Sequence, residues 1–406
     1  MNIDEQVEYL MQGTEYGDEQ LKKNMADELR SRLIACQKEG RPLRVYCGFD
    51  PRTTDLHLGH TVPLRKMRQF QELGHDVTFL VGTYTSLIGD PSDKDVLRPQ
   101  LSPETVKQNA LTYAEQVFNI GVLDPTITHV RFNDEWLSKV TFEQLIKMAS
   151  NFTVQQFMTR ENFKLRWEKQ DAIYLHETFY SLMQGFDAYT LKADVQIGGS
   201  DQLFNIMTAD RKIMTSMGEL PNIAIIVGIL PGTDGVVKMS KSLGNHIPLN
   251  TGASDMYGKV MSIPDSAVGK FFRLVTPMTP PQIAEVENAV KAGTLHPRDA
   301  KMRLAREIVA AFFSKQEAED AEHNFVETFQ KGGMPGEIDE FKVGDGMPLV
   351  DLLVSAGLAK SKNESRRLID QKGVKLDGAV LTDPMLVIHG NGVLQVGKRH
   401  FLKLVK

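Results

Sequence analysis

Two histidines three residues apart form the first chemically suggestive feature of this sequence. His57 and His60, with Gly59 between them, lie where a predicted strand ends at Gly48 and a predicted helix begins at Thr61. Such a junction exposes unpaired backbone N–H groups at the positive end of a helix dipole, which favours phosphate. Glycine also lets a ligand approach the backbone closely. The pattern predicts a nucleotide site; a metal pair or two hydrogen-bonded loop histidines are the alternatives.

A lysine-rich pentapeptide is the second feature. The run KMSKS, residues 238–242, follows an apolar strand-like segment at Asn222–Gly228 and a glycine-rich loop at Gly228–Gly235. Lys238 and Lys241 place two ammonium groups on one loop, which suits them to clamp the oxygens of a phosphate chain. Taken alone, the pentapeptide fits a solvated surface loop equally well.

The elements that must position these residues follow from the alternation of strand-like and helix-like patterns over about the first 230 residues. This alternation predicts an α/β fold with an open, doubly wound, mainly parallel sheet, in which ligands bind at the carboxyl ends of the strands. The predicted strands are Leu43–Gly48, Asp76–Val81, His129–Phe132, Ala193–Ile197 and Asn222–Val227. A helix is predicted at Pro103–Asn119, with Ser102 as its N-cap and Gly121 as its stop. Residues suited to binding follow these strand ends at Tyr46–Asp50, Gly82–Asp90, Gly198–Gln202 and the lysine loop.

A polar stripe marks one predicted helix, His176–Tyr189. Tyr180, Gln184 and Asp187 recur at spacings of four and three residues, so they share one helix face. A solvated face is the alternative, although such faces usually carry Lys and Glu. The glycine-punctuated loop Gly82–Ser92 carries one carboxylate, Asp90, and also fits an ordinary turn.

Further residues with binding chemistry follow the predicted strand at Ala193–Ile197. Gly198 and Gly199 permit close backbone approach, and Asp201 suits ribose hydroxyls. Lys94 and Arg98 are either additional cations for a triphosphate or surface charges.

The two motifs, in this order and spacing, resemble the HIGH and KMSKS signatures of class I aminoacyl-tRNA synthetases. Within that class the residues resemble the tyrosyl-tRNA synthetase family over nearly the whole chain. The resemblance implies a Rossmann-like catalytic domain that activates L-tyrosine with ATP and Mg²⁺ and then transfers tyrosine to tRNA(Tyr). It also implies a homodimer.

The resemblance implies a role for each matching residue. The tyrosine-binding set is Tyr46 and Asp187 for the phenol, Asp90, Tyr180 and Gln184 for the ammonium group, and Gln202 near the carboxylate. The ATP-binding set is Cys47, Asp50, His57, Gly59, His60, Gly198, Gly199, Asp201, Lys238 and Lys241, and His57, His60, Lys238 and Lys241 form the catalytic group. No protein-bound metal is expected. The sequence departs from the family pattern at Arg52, which leaves the nearby phosphate contacts open, and at Leu203.

The remaining chain predicts two further domains. Residues 1–247 form the catalytic domain, and 248–331 carry helical periods that fit either a helical cap with a solvated basic face or an RNA-contacting domain. Residues 332–346 are a predicted linker. Residues 347–406 resemble an S-four-type RNA-binding module in an α+β arrangement, with tRNA contacts expected at Arg366, Arg367, Lys398 and Arg399. A basic appendix that contacts a dimer partner is the alternative for this module.

Composition and charge indicate which kind of partner and which cellular compartment to expect. The net charge is −5, but residues 347–406 carry ten Lys and Arg against five Asp and Glu, which indicates a polyanionic partner at that end. Cys36 and Cys47 provide neither a disulfide framework nor a zinc spacing. No leader peptide or apolar membrane span is recognisable, so we expect a cytoplasmic protein without membrane contact. The competing interpretations are a tryptophanyl enzyme and a non-catalytic RNA-binding protein derived from a synthetase.

Overall fold

The computed structural model describes residues 1–51, 56–92, 102–330, 340–344, 346–397 and 400–406. The chain forms two compact units, Met1–Ser314 and Lys315–Lys406. The finer division into four segments stays a prediction. Within the described residues, no helix is both long enough and apolar enough to span a bilayer.

A five-stranded parallel sheet forms the centre of the first unit. Its strands are β1 Arg44–Phe49, β2 Asp76–Val81, β3 Thr128–Phe132, β4 Val195–Gly199 and β5 Ile223–Val227. The strands lie in the order β3-β2-β1-β4-β5, and every neighbouring pair is parallel. The chain therefore leaves β1 toward β2 on one side and returns to β4 on the other. This reversal confirms the predicted doubly wound arrangement and opens a crevice at the carboxyl ends of β1 and β4.

The fourth strand differs from its sequence prediction. Gly198 and Gly199 lie inside β4, where they pair with Ile226 and Val227, and do not follow its end. Both glycines lie close to other groups. A Cβ atom on Gly198 would lie 2.6 Å from a methyl carbon of Ile206, and one on Gly199 would lie 2.5 Å from a carboxylate oxygen of Asp201. Glycine here serves close packing and does not end the strand.

Helices cover the sheet and connect its strands. They are α1 Ile3–Met11, α2 Glu19–Glu39, α3 Thr61–Glu72, α4 Pro103–Asn119, α5 Asp134–Leu137, α6 Phe142–Ala149, α7 Val154–Met158, α8 Glu161–Glu168, α9 Leu175–Thr190 and α10 Arg211–Ser216. Short 3₁₀ turns occur at Leu58–His60, Thr85–Leu87, Ser200–Gln202 and Lys241–Leu243, and a π-helix spans Asn205–Asp210. Helix α4 has the predicted bounds, because the Ser102 hydroxyl caps its first turn and Pro103 begins it.

Four helices complete the first unit after the sheet. These are α11 Ala253–Met261, α12 Asp265–Val275, α13 Pro280–Lys291 and α14 Pro297–Phe312. Their apolar faces pack together through buried residues such as Tyr257, Phe271 and Leu304. The helical periods of the sequence are confirmed here, because each helix presents one apolar stripe to its neighbours.

The second unit combines helices with a small sheet. Its elements are α15 Lys315–Phe325, a π-helix at Val326–Gln330, β6 Glu340–Lys342, β7 Met347–Pro348, α16 Leu349–Ser355, α17 Lys362–Asp370, β8 Val374–Leu376, β9 Ala379–Val380, β10 Val387–Ile388, β11 Gly392–Val396 and β12 His400–Val405. Five of the strands form a sheet in the order β6-β12-β11-β8-β9, and β7 pairs with β10. Leu349, Leu353, Ile369 and Leu394 are buried in the core between helices and strands, which is the predicted α+β arrangement.

A buried carboxylate joins the amino-terminal ends of the central strands. Asp194 precedes β4, and it accepts hydrogen bonds from Arg32 (3.0 Å), Arg41 (2.7 Å) and the backbone N–H of Arg44 (2.9 Å). Its own backbone bonds to Arg44 and Ile223, so β1, β4 and β5 meet at this residue. Burial alone would raise the pKa of Asp194, but hydrogen bonds from Arg41 and Arg44 lower it to about 2.

We expect Asp194→Asn to lower the free energy of unfolding by about 3 kcal/mol at pH 7, because it leaves partly buried guanidinium groups without their charge partner. The folded-state pKa lies below the unfolded value of 3.8, so this stabilisation is complete above pH 3.8 and disappears as the pH falls through 2. Urea unfolding at several pH values measures both effects.

Asp255→Asn is the matched control. It removes an exposed carboxylate that pairs with Lys259 and should cost less than about 1 kcal/mol. Equal losses in the two variants, or a loss for Asp194→Asn that persists unchanged at pH 2, would contradict the role given to Asp194.

Candidate active site

A polar side chain on β1 is buried beside the crevice. Tyr46 lies between its sheet partners Thr78 and Gln196 and is 1% exposed. Among the described residues, no group forms a hydrogen bond with its hydroxyl. Burial, and then the neighbouring Asp210 and Asp187, raise the pKa of Tyr46 well above its usual value, so the hydroxyl remains protonated. The hydroxyl is thus a buried donor and acceptor suited to a polar ligand group.

A carboxyl group on α9 faces the same space. Asp187 accepts hydrogen bonds from the indole N–H of Trp136 (2.7 Å) and the amide of Asn133 (3.2 Å). Burial raises the pKa of Asp187 to about 8, although both donors act in the opposite direction. Asp187 and Tyr46 therefore form the polar end of an otherwise apolar cluster that includes Leu182 and Phe186.

Asp50 joins β1 to the polar stripe of α9. Its carboxylate accepts hydrogen bonds from the hydroxyls of Thr85 (2.8 Å) and Tyr180 (3.2 Å). A side chain on Gly82 would collide with both Asp50 and Thr85, so glycine is required where β2 ends. The structure thus brings Tyr180 to the end of β1, as the shared helix face predicts.

The loop after β2 provides a second carboxylate. Asp90 accepts hydrogen bonds from the side-chain amide of Gln202 and from the backbone N–H of Ser92. The Arg160 guanidinium lies 3.9 Å from the same carboxylate and donates to Ser92 Oγ at 2.6 Å. Asp90, Gln202 and Arg160 therefore belong to one network beside the crevice.

The histidine pair is fixed by its own backbone. The backbone N–H of Gly59 donates to His57 Nδ1 (3.2 Å), and that of His57 donates to His60 Nδ1 (3.1 Å). Because both Nδ1 atoms accept, each neutral ring carries its proton on Nε2. Burial lowers the pKa of His57 to about 3 and of His60 to about 4, and the charge of Lys238 acts in the same direction. At pH 7 both rings are neutral hydrogen-bond donors.

The lysine loop lies beside the histidine pair. Lys238 Nζ lies 3.3 Å from a carboxylate oxygen of Asp201, which follows β4. Lys238 also lies close enough to lower the pKa of both histidines, so the two sequence motifs come together as predicted. Lys241 is exposed in the following 3₁₀ turn. Cys47 is buried next to Tyr46 on β1, and burial raises the pKa of its thiol.

Several residues of the site were not found from the sequence. Asp234 and Asn245 organise the lysine loop: Asp234 accepts from the backbone of Val236 and Val237, and Asn245 accepts from the backbone of Ser240. His246 lies edge-on to His57 with ring centroids 6.1 Å apart. Other residues that the sequence analysis missed are Asn133, Trp136, Arg160, Asn205 and Asp210. Their hydrogen-bond partners are distant in sequence, so no short spacing marks these residues.

Some predicted residues lie outside the part of the chain that the structure describes. They are Arg52, Lys94, Arg98, Lys398 and Arg399. Arg366 and Arg367 are exposed on α17 in the second unit, and Arg367 pairs with Glu364 at 3.8 Å. Within the described residues, no cluster of His, Cys, Asp or Glu is able to hold a metal ion by itself.

Comparison with known proteins decides the family. The family described as tRNA synthetases class I (W and Y) matches residues 37–330, and the S4 domain matches residues 347–392. This chain belongs to the class I tRNA synthetases. The crevice, the histidine pair and the lysine loop are therefore parts of a synthetase catalytic domain, and the second unit contains an S4 domain.

Individual relatives cover almost the full length. The tyrosine–tRNA ligase of Desulfotalea psychrophila is 45% identical over 93% of this chain and 94% of its own. Tyrosine–tRNA ligase 2 of Clostridium acetobutylicum is 43% identical over 100% of this chain and 99% of its own. In three dimensions, the truncated mitochondrial tyrosyl-tRNA synthetase of Aspergillus nidulans matches 79% of this chain and 92% of its own, with a TM-score of 0.61 and 23% identity. This structural likeness confirms the fold.

Proposed function

We propose that this chain is a tyrosine–tRNA ligase, which forms tyrosyl-adenylate from L-tyrosine and ATP and then transfers tyrosine to tRNA(Tyr). The observation that carries the proposal is the buried polar pair of Tyr46 and Asp187 beside an apolar cluster, in a chain of the class I family. The relatives named tyrosine–tRNA ligase support the same assignment.

The phenol is the substrate group that this pair recognises. In our proposal the Tyr46 hydroxyl and Asp187 exchange hydrogen bonds with the substrate hydroxyl, which gives Tyr46 the partner that it otherwise lacks among the described residues. Phenylalanine would leave both groups buried without that partner, which disfavours it. The indole of tryptophan also has no hydroxyl for this position, and this distinguishes the proposal from a tryptophanyl enzyme.

The remaining tyrosine contacts lie on the opposite side of the pocket. We assign Asp90, Tyr180 and Gln184 to the ammonium group and Gln202 to the vicinity of the carboxylate. Support comes from the hydrogen bonds that join Gln202 to Asp90 and Tyr180 to Asp50, since these place acceptors and donors around one end of the crevice. A zwitterionic amino acid needs such a mixed set, because its ammonium group donates hydrogen bonds and its carboxylate accepts them.

The nucleotide occupies the other side of the same crevice in this proposal. Cys47, Gly198, Gly199 and Asp201 line the ribose and adenylate region, and Asp50 lies near the reacting groups. The triphosphate contacts are His57, Gly59, His60, Lys238 and Lys241. The neutral imidazoles, each with its proton on Nε2, and the Lys238 ammonium provide donors to phosphate oxygens.

The chemistry follows from this placement. The tyrosine carboxylate attacks the α-phosphorus of ATP, and negative charge grows on the pyrophosphate as the bond to it breaks. Donors already fixed in position stabilise that charge, so no residue acts as a covalent nucleophile. In this proposal Mg²⁺ would be bound to the phosphates, with the carboxylates of Asp50 and Asp201 near it.

Amino-acid-dependent exchange of labelled pyrophosphate into ATP tests the proposal. We expect exchange with tyrosine and not with phenylalanine or tryptophan. Lys238→Ala should lower the rate about a hundredfold, the usual loss for one preorganised donor worth about 3 kcal/mol. Lys259→Ala is the matched control, because Lys259 is exposed on α11 and pairs only locally with Asp255.

Other outcomes of this experiment distinguish the alternatives. Exchange with tryptophan would keep the fold and overturn the substrate. Absence of exchange with all three amino acids would favour the non-catalytic RNA-binding protein.

The S4 domain supports a second part of the proposal, which is tRNA binding by the second unit. Arg366 and Arg367 are exposed and adjacent on α17, in the region with a net positive charge. Such residues contact phosphates and make binding depend strongly on salt. Lys398 and Arg399, which lie outside the described residues, are further proposed tRNA contacts.

We expect the double substitution Arg366→Glu and Arg367→Glu to lower kcat/KM for tRNA at least tenfold and to leave pyrophosphate exchange unchanged. The dependence of log KM for tRNA on log salt should fall by about 2, one for each phosphate contact. The control is Lys22→Glu with Lys23→Glu, an adjacent basic pair on α2. Equal loss of exchange and charging would refute a role in RNA binding alone.

An apolar surface supports the homodimer. Large side chains are exposed on the consecutive helices α6 to α9, among them Phe142 (77%), Val154 (74%), Trp167 (69%) and Leu175 (74%), and Val154 and Trp167 line one depression. Exposed apolar patches of this kind mark association sites. We propose that a second copy of the chain covers this surface. We also propose that the enzyme works in the cytoplasm.

Sedimentation tests the association. Wild-type protein should sediment as a dimer, and Phe142→Glu with Trp167→Glu should sediment as a monomer, because charges in an apolar interface are costly to bury. Leu220→Glu, at another exposed leucine, should leave the dimer intact. A monomeric wild type, or a dimer that tolerates both charges, would contradict this assignment.

A further inference from the structure

The π-helix Asn205–Asp210 is an uncommon element in the middle of the site. Helices of this type are rare and occur often at functional sites. Both terminal residues, Asn205 and Asp210, are fully buried, and both bond to the same side chain of α9, Gln184. The element therefore does more than connect β4 to α10.

The Gln184 amide is held at both ends. Its Nε2 donates to Asp210 Oδ2 at 3.0 Å, and its Oε1 accepts from Asn205 Nδ2 at 3.3 Å. Rotation of the amide by 180° would place two donors together at Asn205, whose own direction is set by the hydrogen bond from the Ser181 hydroxyl. Only one orientation of Gln184 is thus compatible with its neighbours.

The direction of these hydrogen bonds originates at a buried arginine. Arg160 has only donors, and it donates to Ser181 Oγ at 2.9 Å. Ser181 in turn donates to Asn205 Oδ1 at 2.8 Å, which leaves the Asn205 amide N–H groups to donate onward. The two N–H groups are shared among three acceptors, Gln202 Oε1 at 3.0 Å, Ser92 Oγ at 3.2 Å and Gln184 Oε1 at 3.3 Å.

The side-chain nitrogens of Gln184 and Gln202 each donate to a carboxyl group. Gln202 Nε2 donates to Asp90, as Gln184 Nε2 donates to Asp210. Gln196 also acts on the Asp210 carboxyl by lowering its pKa, and the Gln196 side-chain oxygen accepts from the Asn222 amide at 2.5 Å. The network therefore sets the orientation of the Gln184 and Gln202 amides.

We propose that Asn205 and Asp210 are positioning residues, and that the π-helix fixes the polarity of the tyrosine pocket through Gln184 and Gln202. This inference rests on the proposed function. With Gln184 fixed, its carbonyl oxygen keeps a lone pair for the substrate ammonium group. With Gln202 fixed, its second amide N–H is available to the substrate carboxylate. Reversed amides would set donor against donor and acceptor against acceptor.

Substitutions at the two ends of the π-helix test the proposal by pyrophosphate exchange with the full chain. Asn205→Asp has almost the same shape but replaces the donor with an acceptor, and Asp210→Leu removes the acceptor. Each should raise KM for tyrosine at least tenfold and leave KM for ATP within twofold. Asp210→Asn retains an acceptor oxygen for Gln184 and should restore KM for tyrosine to within threefold of the wild type.

Glu177→Gln is the matched control for loss of folding stability. Glu177 is a buried carboxylate on the same helix, paired with Arg166 at 2.6 Å and outside the pocket network. Its variant should lower Tm and leave KM for tyrosine unchanged. If Asn205→Asp does not fold, the comparison of Asp210→Leu with Asp210→Asn decides the question.

The results that would overturn the positioning role differ from the result that would overturn the proposed function. Unchanged KM for tyrosine in Asp210→Leu, or equal increases in KM for tyrosine and ATP, would overturn the positioning role while the wild type remains active with tyrosine. Failure of Asp210→Asn to restore KM would also overturn it, since the role requires an acceptor and not a charge. Absence of tyrosine-dependent exchange in the wild type would instead show that the proposed function itself is wrong.

Discussion

The position of β1 between β2 and β4 is the constraint on which the site depends. Parallel pairing on both sides forces the chain to leave β1 in one direction and return from the other, so a crevice opens at the carboxyl ends. Tyr46, Asp50 and Cys47 reach that crevice because of the β1 register, and Asp201 and Gln202 reach it because β4 ends beside them. Asp194 holds the same strands together at the opposite end.

Burial gives the two halves of the crevice different electrostatic properties. On the side of the histidines, desolvation and Lys238 keep both imidazoles neutral, so they act as hydrogen-bond donors without adding charge. On the side of the amino-acid pocket, burial raises the pKa of Asp187. Recognition there depends on the direction of hydrogen bonds, because a low-dielectric site makes each unmatched polar group costly.

Sequence patterns predicted the main strands and helices of the fold, because the signals for these elements lie in neighbouring residues. Strand β2 and helix α4 have the bounds expected from apolar runs and caps, since such signals are carried by neighbouring residues. The end of β4 was misplaced, because Gly198 is a turn signal by itself and a strand residue only when Ile226 pairs with it. Likewise, Asn133, Trp136 and Arg160 bond to partners that are 54, 51 and 68 residues away, respectively. No local spacing records such partners.

The two units depend on different kinds of interaction. This difference explains why the sequence marks the basic surface of the second unit more clearly than the positioning residues of the first. The catalytic crevice needs short, directional hydrogen bonds, so it depends on residues whose identity is strongly restricted, such as Gly82 beside Asp50. The S4 domain has a buried apolar core and presents exposed cations, and phosphate binding by cations depends on charge and counterion release more than on exact geometry. Arg366 and Arg367 are therefore recognisable as a charged surface, whereas Asn205 and Asp210 become recognisable only through the bonds that they make.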